Sequence, residues 1–240
     1  NPKVDAIFGL HAWPGKVGQA EYRSGPTMAA AERMRITVTG VQTHCALPWG
    51  GVDPIVISSQ IILSLQTIVS REVDITEVPA VVTIGSIHGG VRNNIIPEEV
   101  VMEGTIRTFK QEIKDHIHKS IKDKVEMIAS ASGAKANVEI FSGIAKVTYN
   151  EPSLTDQMLP SLQKVYGKDN VLIRPFVTGA EDFPFFTDHA PGLYFFNGVS
   201  EDPSKAYPNH SPYFFADERN LKYGMKSMAQ LATDYLFLNQ

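Results

Sequence analysis

The chain has 240 residues, 43% hydrophobic and 20% charged, a globular composition that excludes wholesale disorder. Its 22 Lys and Arg against 26 Asp and Glu leave a net charge of −4, so no basic surplus exists to neutralise nucleic-acid phosphates. One cysteine, Cys45, excludes an intrachain disulfide framework and fits a reducing compartment.

No stretch reaches the ~18 apolar residues of a membrane span. The richest run, Ile55 to Val69, is broken by Ser58, Ser59, Gln60, Ser64 and Gln66. The opening Asn1-Pro2-Lys3 carries neither an initiator Met nor a signal peptide, and so abrupt a start predicts a piece of something longer. Val4 to Leu10 reads as a short buried strand, ended by His11-Ala12-Trp13-Pro14-Gly15, a loop with two breakers. Ser24-Gly25-Pro26 is a second loop. Met34 to Gly40 alternates with period two and reads as a strand.

Asp53-Pro54 starts a helix, with Asp as N-cap and Pro in its first turn, and Ile57, Ile61, Leu65 and Ile68 follow at helical spacing. Strands are expected at Val81–Ile84 and Val100–Phe109, with a turn at Ile96-Pro97-Glu98. Ile113, Ile117, Ile121, Val125 and Ile128 mark a second amphipathic helix that stops at Gly133. Ala136 to Phe141 is a further strand. The succession over 34–141 is the βαββαβ ferredoxin-like pattern of a two-layer α+β domain.

The flanks differ in character. Leu154, Met158, Leu162 and Val165 share one face of a helix over 153–166, and Gly192 to Gly198 is a buried strand. Asp217-Glu218 opens a last helix whose apolar face carries Leu221, Met225, Met228, Ala232 and Tyr235. Segments 1–31 and 143–240 together predict an α/β domain into which residues 32–142 are inserted.

Several polar residues could carry chemistry. His11 follows directly on a buried strand, where open α/β sheets bind ligands, and His210 lies in the rigid loop Tyr207-Pro208-Asn209-His210-Ser211-Pro212. Each is either a metal ligand or a loop histidine that caps backbone. His44 sits in a loop between strand and helix, while His116 and His118 read as solvent-exposed on a charged helix. Asn94 is a turn residue by type. Arg107 alternates outward with Glu103 and Thr105, consistent with a sheet-surface salt bridge. Glu181-Asp182, after Thr178-Gly179-Ala180, fits either acid/base work or the cap of a short turn.

Taken in order, these segments form a recognisable set. They are Phe8-Gly9-Leu10-His11, Gln42-Thr43-His44 with Pro48-Trp49 and Gly51-Val52-Asp53-Pro54-Ile55, and Leu65 to Arg71. Gly89-Gly90 with Asn94-Ile95-Ile96-Pro97-Glu98, Gly104-Thr105-Ile106-Arg107, Gly179-Ala180-Glu181-Asp182-Phe183, and His210-Ser211-Pro212 with Asp217-Glu218 complete it. The chain resembles the M20 metallopeptidase/amidohydrolase family, in particular the N-acyl-amino-acid amidohydrolases that include hippurate and auxin-conjugate hydrolases.

The resemblance implies a cytoplasmic hydrolase with two divalent metal ions (Zn, Mn or Co) and an N-acyl amino acid substrate. It implies metal ligation by His11 and His210, and catalytic roles for His44 and Asn94 in steadying the oxyanion. Arg107, Gly179 and Glu181 would bind substrate. The inserted unit would be the lid, through which two copies form a homodimer. The family's upstream His-x-Cys-Gly-His-Asp motif and Glu-Glu pair have no match in residues 1–240, so the general base and remaining ligands are not assigned. The chain would then be the C-terminal portion of the enzyme. A non-catalytic dimerisation module and a dipeptidase or carboxypeptidase of the wider family are the other readings.

Overall fold

The computed structural model describes residues 3–240. The chain begins with β1 (Ile7–Lys16), β2 (Ala20–Tyr22), β3 (Gly25–Met28), β4 (Ala30–Thr39) and β5 (Thr43–His44). Then come α1 (Pro54–Thr67), β6 (Val81–Gly89), β7 (Ile95–Ile96), β8 (Glu99–Thr108), α2 (Gln111–Ala131) and β9 (Lys135–Ala145). Last are β10 (Thr148–Asn150), α3 (Pro152–Tyr166), β11 (Val171–Ile173), α4 (Pro184–Thr187), β12 (Gly192–Ser200) and α5 (Arg219–Leu238). Two compact units result. One holds the chain up to Met28 with Thr148–Val177 and Glu181–Gln240; the other holds Ala29–Val147 and Thr178–Ala180.

In the first unit the sheet order is β1-β12-β2-β11, with β1 and β12 parallel. Apart from its last residue, β12 is buried throughout, as expected of a strand covered on both faces. Leu193 and Phe195 pack with α3, α5, Phe8 and Leu10 on one side. Tyr194 and Phe196 pack with Phe183, Met28 and Trp13 on the other.

β1 does not stop at Leu10. It continues through His11-Ala12-Trp13-Pro14, because His11, Ala12 and Trp13 stay paired with Phe196, Asn197 and Gly198. The register shifts only between Trp13 and Lys16, where Pro14 lacks a ladder donor. His11 therefore lies within a strand, not in a loop beyond one.

The last helix turns only part of its expected apolar face inward: Met228 and Tyr235 pack on the core, Leu221 and Met225 do not. Leu221 and Met225 are 60% and 70% exposed, while Asn220, Gly224, Ser227 and Leu231 are buried. Buried polar groups decide this. Asn197 Nδ2 donates to the Asn220 carbonyl at 3.3 Å, and the Tyr166 hydroxyl donates to Asn197 Oδ1 at 3.2 Å and lies 3.3 Å from Ser227 Oγ. Leaving such groups unpaired would cost about 1–3 kcal/mol each.

In the second unit an antiparallel sheet runs β6-β8-β4-β9, and α1 and α2 pack on one face over Met34, Ile36, Met102 and Ile106. Asp53 caps α1 by accepting from Ile55 N at 2.9 Å, a bond worth about 1 kcal/mol. α2 ends at Gly133, whose φ of +77° suits a residue without Cβ. Gly133 N bonds to the Ser130 carbonyl and Ala134 N to that of Ala129, which satisfies the last turn.

His116 is exposed, as expected, and His118 is half-buried; both are partnered. His116 meets Glu72 at 3.2 Å, and His118 meets the buried Glu32 at 2.5 Å. Glu32 is only 3% exposed and also accepts from Ser142 Oγ at 2.5 Å. A buried carboxylate requires such partners, and α2 supplies one of them.

Candidate active site

His11 is the centre of the first unit's polar residues. The alternation of β1 turns His11 and Trp13 to the face that carries Tyr194 and Phe196. The Trp13 ring stands edge-on to the imidazole with centroids 5.4 Å apart. Nδ1 of His11 donates to the Ala12 carbonyl at 2.7 Å, since that oxygen can only accept. The neutral imidazole therefore presents an unprotonated Nε2, and Nε2 lies 3.3 Å from Glu181 Oε1. A nitrogen lone pair and a carboxylate oxygen so close together are two donors that suit a shared cation. Metal-binding histidines typically tie their other nitrogen to a backbone carbonyl in this way.

Two donors are fewer than the three protein ligands of a catalytic zinc site. Among the described residues no group of three or more His, Cys, Asp or Glu side chains comes together. The described residues thus supply a pair of donors and not a complete metal centre.

His210 lies in the loop after β12 with φ 67°, the one non-glycine residue with positive φ among those described. Its neighbour Asn209 donates to the Ala12 carbonyl at 3.0 Å, the same oxygen that receives His11 Nδ1. The loop is thereby tied to the strand position next to His11. Tyr194 was not singled out by sequence. Burial, then the nearby Glu181 and Asp182 carboxylates, push its phenol well above the usual range, so the hydroxyl keeps its proton. The alternation of Gly192 to Gly198 was the available signal.

In the second unit, His44 and Asn94 are brought together. β5 and β7 form a two-residue antiparallel ribbon that pairs His44 with Ile95, and Cys45 N bonds to the Asn94 carbonyl at 3.0 Å. Ala46 N donates to His44 Nδ1 at 3.0 Å, so the neutral ring carries its proton on the exposed Nε2. Trp49, nearby in sequence, is 81% exposed. Gly179 accepts from Ala29 N at 3.0 Å. Arg107 makes no salt bridge with Glu103, which is held instead by Arg35. Burial pushes the Arg107 guanidinium below its ordinary value. It donates to the Thr105 hydroxyl and to the Ile106 carbonyl at 3.1 Å.

Residues 31–132 match the description "Peptidase dimerisation domain". The chain is 38% identical over 216 residues to an N-acetyl-L-cysteine deacetylase of Bacillus subtilis, a match covering 90% of this chain and 50% of the relative. It is 35% identical over 236 residues to thermostable carboxypeptidase 2 of Saccharolobus solfataricus, covering 97% of this chain and 58% of the relative. The solved structure of the Bacillus subtilis YXEP protein, a dinuclear metal binding peptidase from the M20 family, matches with a TM-score of 0.79 at 27% identity. That match covers 99% of this chain and 58% of the other. The chain belongs to the M20 peptidase family. This M20 chain spans about half the length of the curated relatives it matches.

Proposed function

We propose that this M20 chain is part of a metal-dependent amidohydrolase that cleaves the amide bond of N-acyl amino acids or small peptide-like amides. The observation that carries the reading is His11: Nδ1 is tied to a carbonyl while Nε2 is turned on Glu181, the arrangement of an imidazole prepared for a cation. In this reading His11 and His210 contribute to holding divalent metal ions (Zn, Mn or Co, two in the complete enzyme). Such ions supply Lewis-acid chemistry when bound. His44, through its Nε2 proton, and the Asn94 amide donate to the oxygen that becomes negative as the amide is attacked. Arg107 takes the substrate carboxylate, and Gly179 and Glu181 line the substrate.

The same reading makes residues 32–142 a ferredoxin-like lid and dimerisation domain inserted into a catalytic domain formed by 1–31 and 143–240. Two copies join through that lid into a cytoplasmic homodimer. The exposed edges of β6 and β9 are open to a further strand, which supports this. Light scattering should give twice the protomer mass, and a monomer at micromolar concentration contradicts it.

Substrate class is tested by hydrolysis in the protein that carries this chain. N-acetyl and N-benzoyl amino acids are expected to turn over faster than dipeptides. Faster cleavage of dipeptides or of C-terminal residues from peptides would move the reading to the peptidase branch.

A further inference from the structure

The face of the first unit's sheet that carries His11 also carries a row of side chains that runs to the sheet's far edge. The strand order β1-β12-β2-β11 sets His11 beside Phe196 in register, and Phe196 beside Glu21. Arg174 follows directly on β11. Its backbone N bonds to the Tyr22 carbonyl at 2.7 Å, and its own carbonyl accepts from Arg23 Nη1 at 3.2 Å. From that edge the Arg174 guanidinium extends over β2 towards β12 and β1. It donates to Glu21 Oε2 and lies 4.5 Å from the centre of the Trp13 ring and 4.7 Å from that of Phe196.

The same two rings wall in the imidazole. Trp13 stands edge-on to His11 at 5.4 Å, Phe196 lies 6.2 Å away at 40°, and the two rings meet each other edge-on at 5.1 Å. A guanidinium stacks on aromatic faces through its plane, which a lysine ammonium lacks. The arrangement has a cost: Arg174 Nε is buried and has no acceptor among the described residues. A buried donor left unpaired is destabilising and needs a compensating role. At the end of an edge strand, water is within reach of so long a side chain, yet the guanidinium is held over the rings. His11 needs such walls. Its Nδ1 bond goes only to the carbonyl of the next residue, and with Nε2 3.3 Å from Glu181 the tilt of the ring decides whether the two donors converge on one point.

We propose that Arg174 is a positioning residue for His11, acting through the rings of Trp13 and Phe196. The inference rests on the hydrolase reading and deepens it: the His11–Glu181 pair is aligned from the far edge of the sheet by a residue that bonds to neither. Glu21 anchors the guanidinium and balances its charge, so Arg174 acts on His11 through geometry and not through added positive charge.

The test reads the histidine nitrogen resonances of the metal-free protein that carries this chain, at a pH where imidazole is neutral, with the His11 signals assigned by their loss in His11→Gln. Wild type should show one His11 tautomer, with its proton on Nδ1. Arg174→Gln should show exchange between both tautomers. Its affinity for Zn, measured by competition with a chelating dye, should fall about 10-fold, the low end of the loss for a group that orients a metal-holding histidine. Arg174→Lys keeps the charge beside Glu21 but not the plane, and should fall between in both readouts. Asp234→Asn, which weakens the same unit at the contact of α3 with α5, should leave both unchanged whatever its melting temperature. A single Nδ1 tautomer in Arg174→Gln, an unchanged Zn affinity, or an equal change in Asp234→Asn would overturn the proposal. If Arg174→Gln does not fold, Arg174→Lys is read in the same way. If wild type binds no Zn, the hydrolase reading fails by itself, and the tautomer comparison alone decides the role of Arg174.

Discussion

Nε2 of His11 lies 3.3 Å from Glu181 Oε1, and neither atom carries a proton in the neutral imidazole form that the Ala12 carbonyl selects. In the proposed reading this pair, from β1 and the turn before α4, faces the cation. Glu181→Gln removes its charge while keeping its shape. Metal retention should fall by about 10- to 100-fold, the cost of losing a charged neighbour of a metal-holding histidine. Competition against a chelating dye measures this, and unchanged affinity would remove Glu181 from the site.

His44 serves the transition state in this account, not the metal. His44→Ala should lower kcat by about 100- to 1000-fold, the usual loss for one oxyanion donor, with metal content intact. Elemental analysis beside steady-state kinetics separates the two roles. Loss of metal, or near-normal turnover, would contradict the assignment.

Glu32 is a structural prediction. Its buried carboxylate accepts from Ser142 and His118, with Lys114 at 3.9 Å, and so joins β4, β9 and α2. Glu32→Ala leaves those partners uncompensated and should destabilise the second unit by about 3–5 kcal/mol. Glu32→Gln should cost less. Denaturant unfolding checks both, and a variant as stable as wild type would mean that the network contributes nothing net.

Asp234 ties α3 to α5. Hydrogen bonds from Ser161 Oγ at 2.6 Å and Lys164 Nζ at 2.9 Å, with Gln230, hold its carboxyl down at about 2. A carboxyl depressed on folding stabilises the protein above its unfolded value near 3.8 and loses that contribution as pH falls through about 2. Melting temperature should therefore drop between pH 4 and 2, and Asp234→Asn should flatten that part of the profile. An unchanged acid limb would show that other carboxylates set it.

Much of the second unit was legible from sequence, because period-two strands and a period-3.6 helix leave direct marks. β4, α1, β6, β8, α2 and β9 follow in the expected order, with the short β5 and β7 added between them, and Asp53 and Gly133 cap where their chemistry says they should. What escaped was decided by partners far along the chain. His11, Ala12 and Trp13 look like a loop until β12 pairs alongside. Leu221 and Met225 look like a core face until Asn197, Tyr166 and Ser227 claim the inner side of α5. His118 reads as a surface residue until β4 delivers Glu32 beneath it. At the site, the residue types at positions 11, 44, 94, 107, 179, 181 and 210 were visible. The His11–Glu181 pairing, across 170 positions, needed the fold.

The most direct measurement of the central claim is chelation of the protein that carries this chain, followed by assay of N-acetyl amino acid hydrolysis. The account predicts that turnover disappears with the metal and returns when Zn, Mn or Co is added back, and that a His11→Gln variant neither retains metal nor recovers. Turnover that survives complete metal removal, or a His11→Gln variant with full metal and full activity, would contradict it.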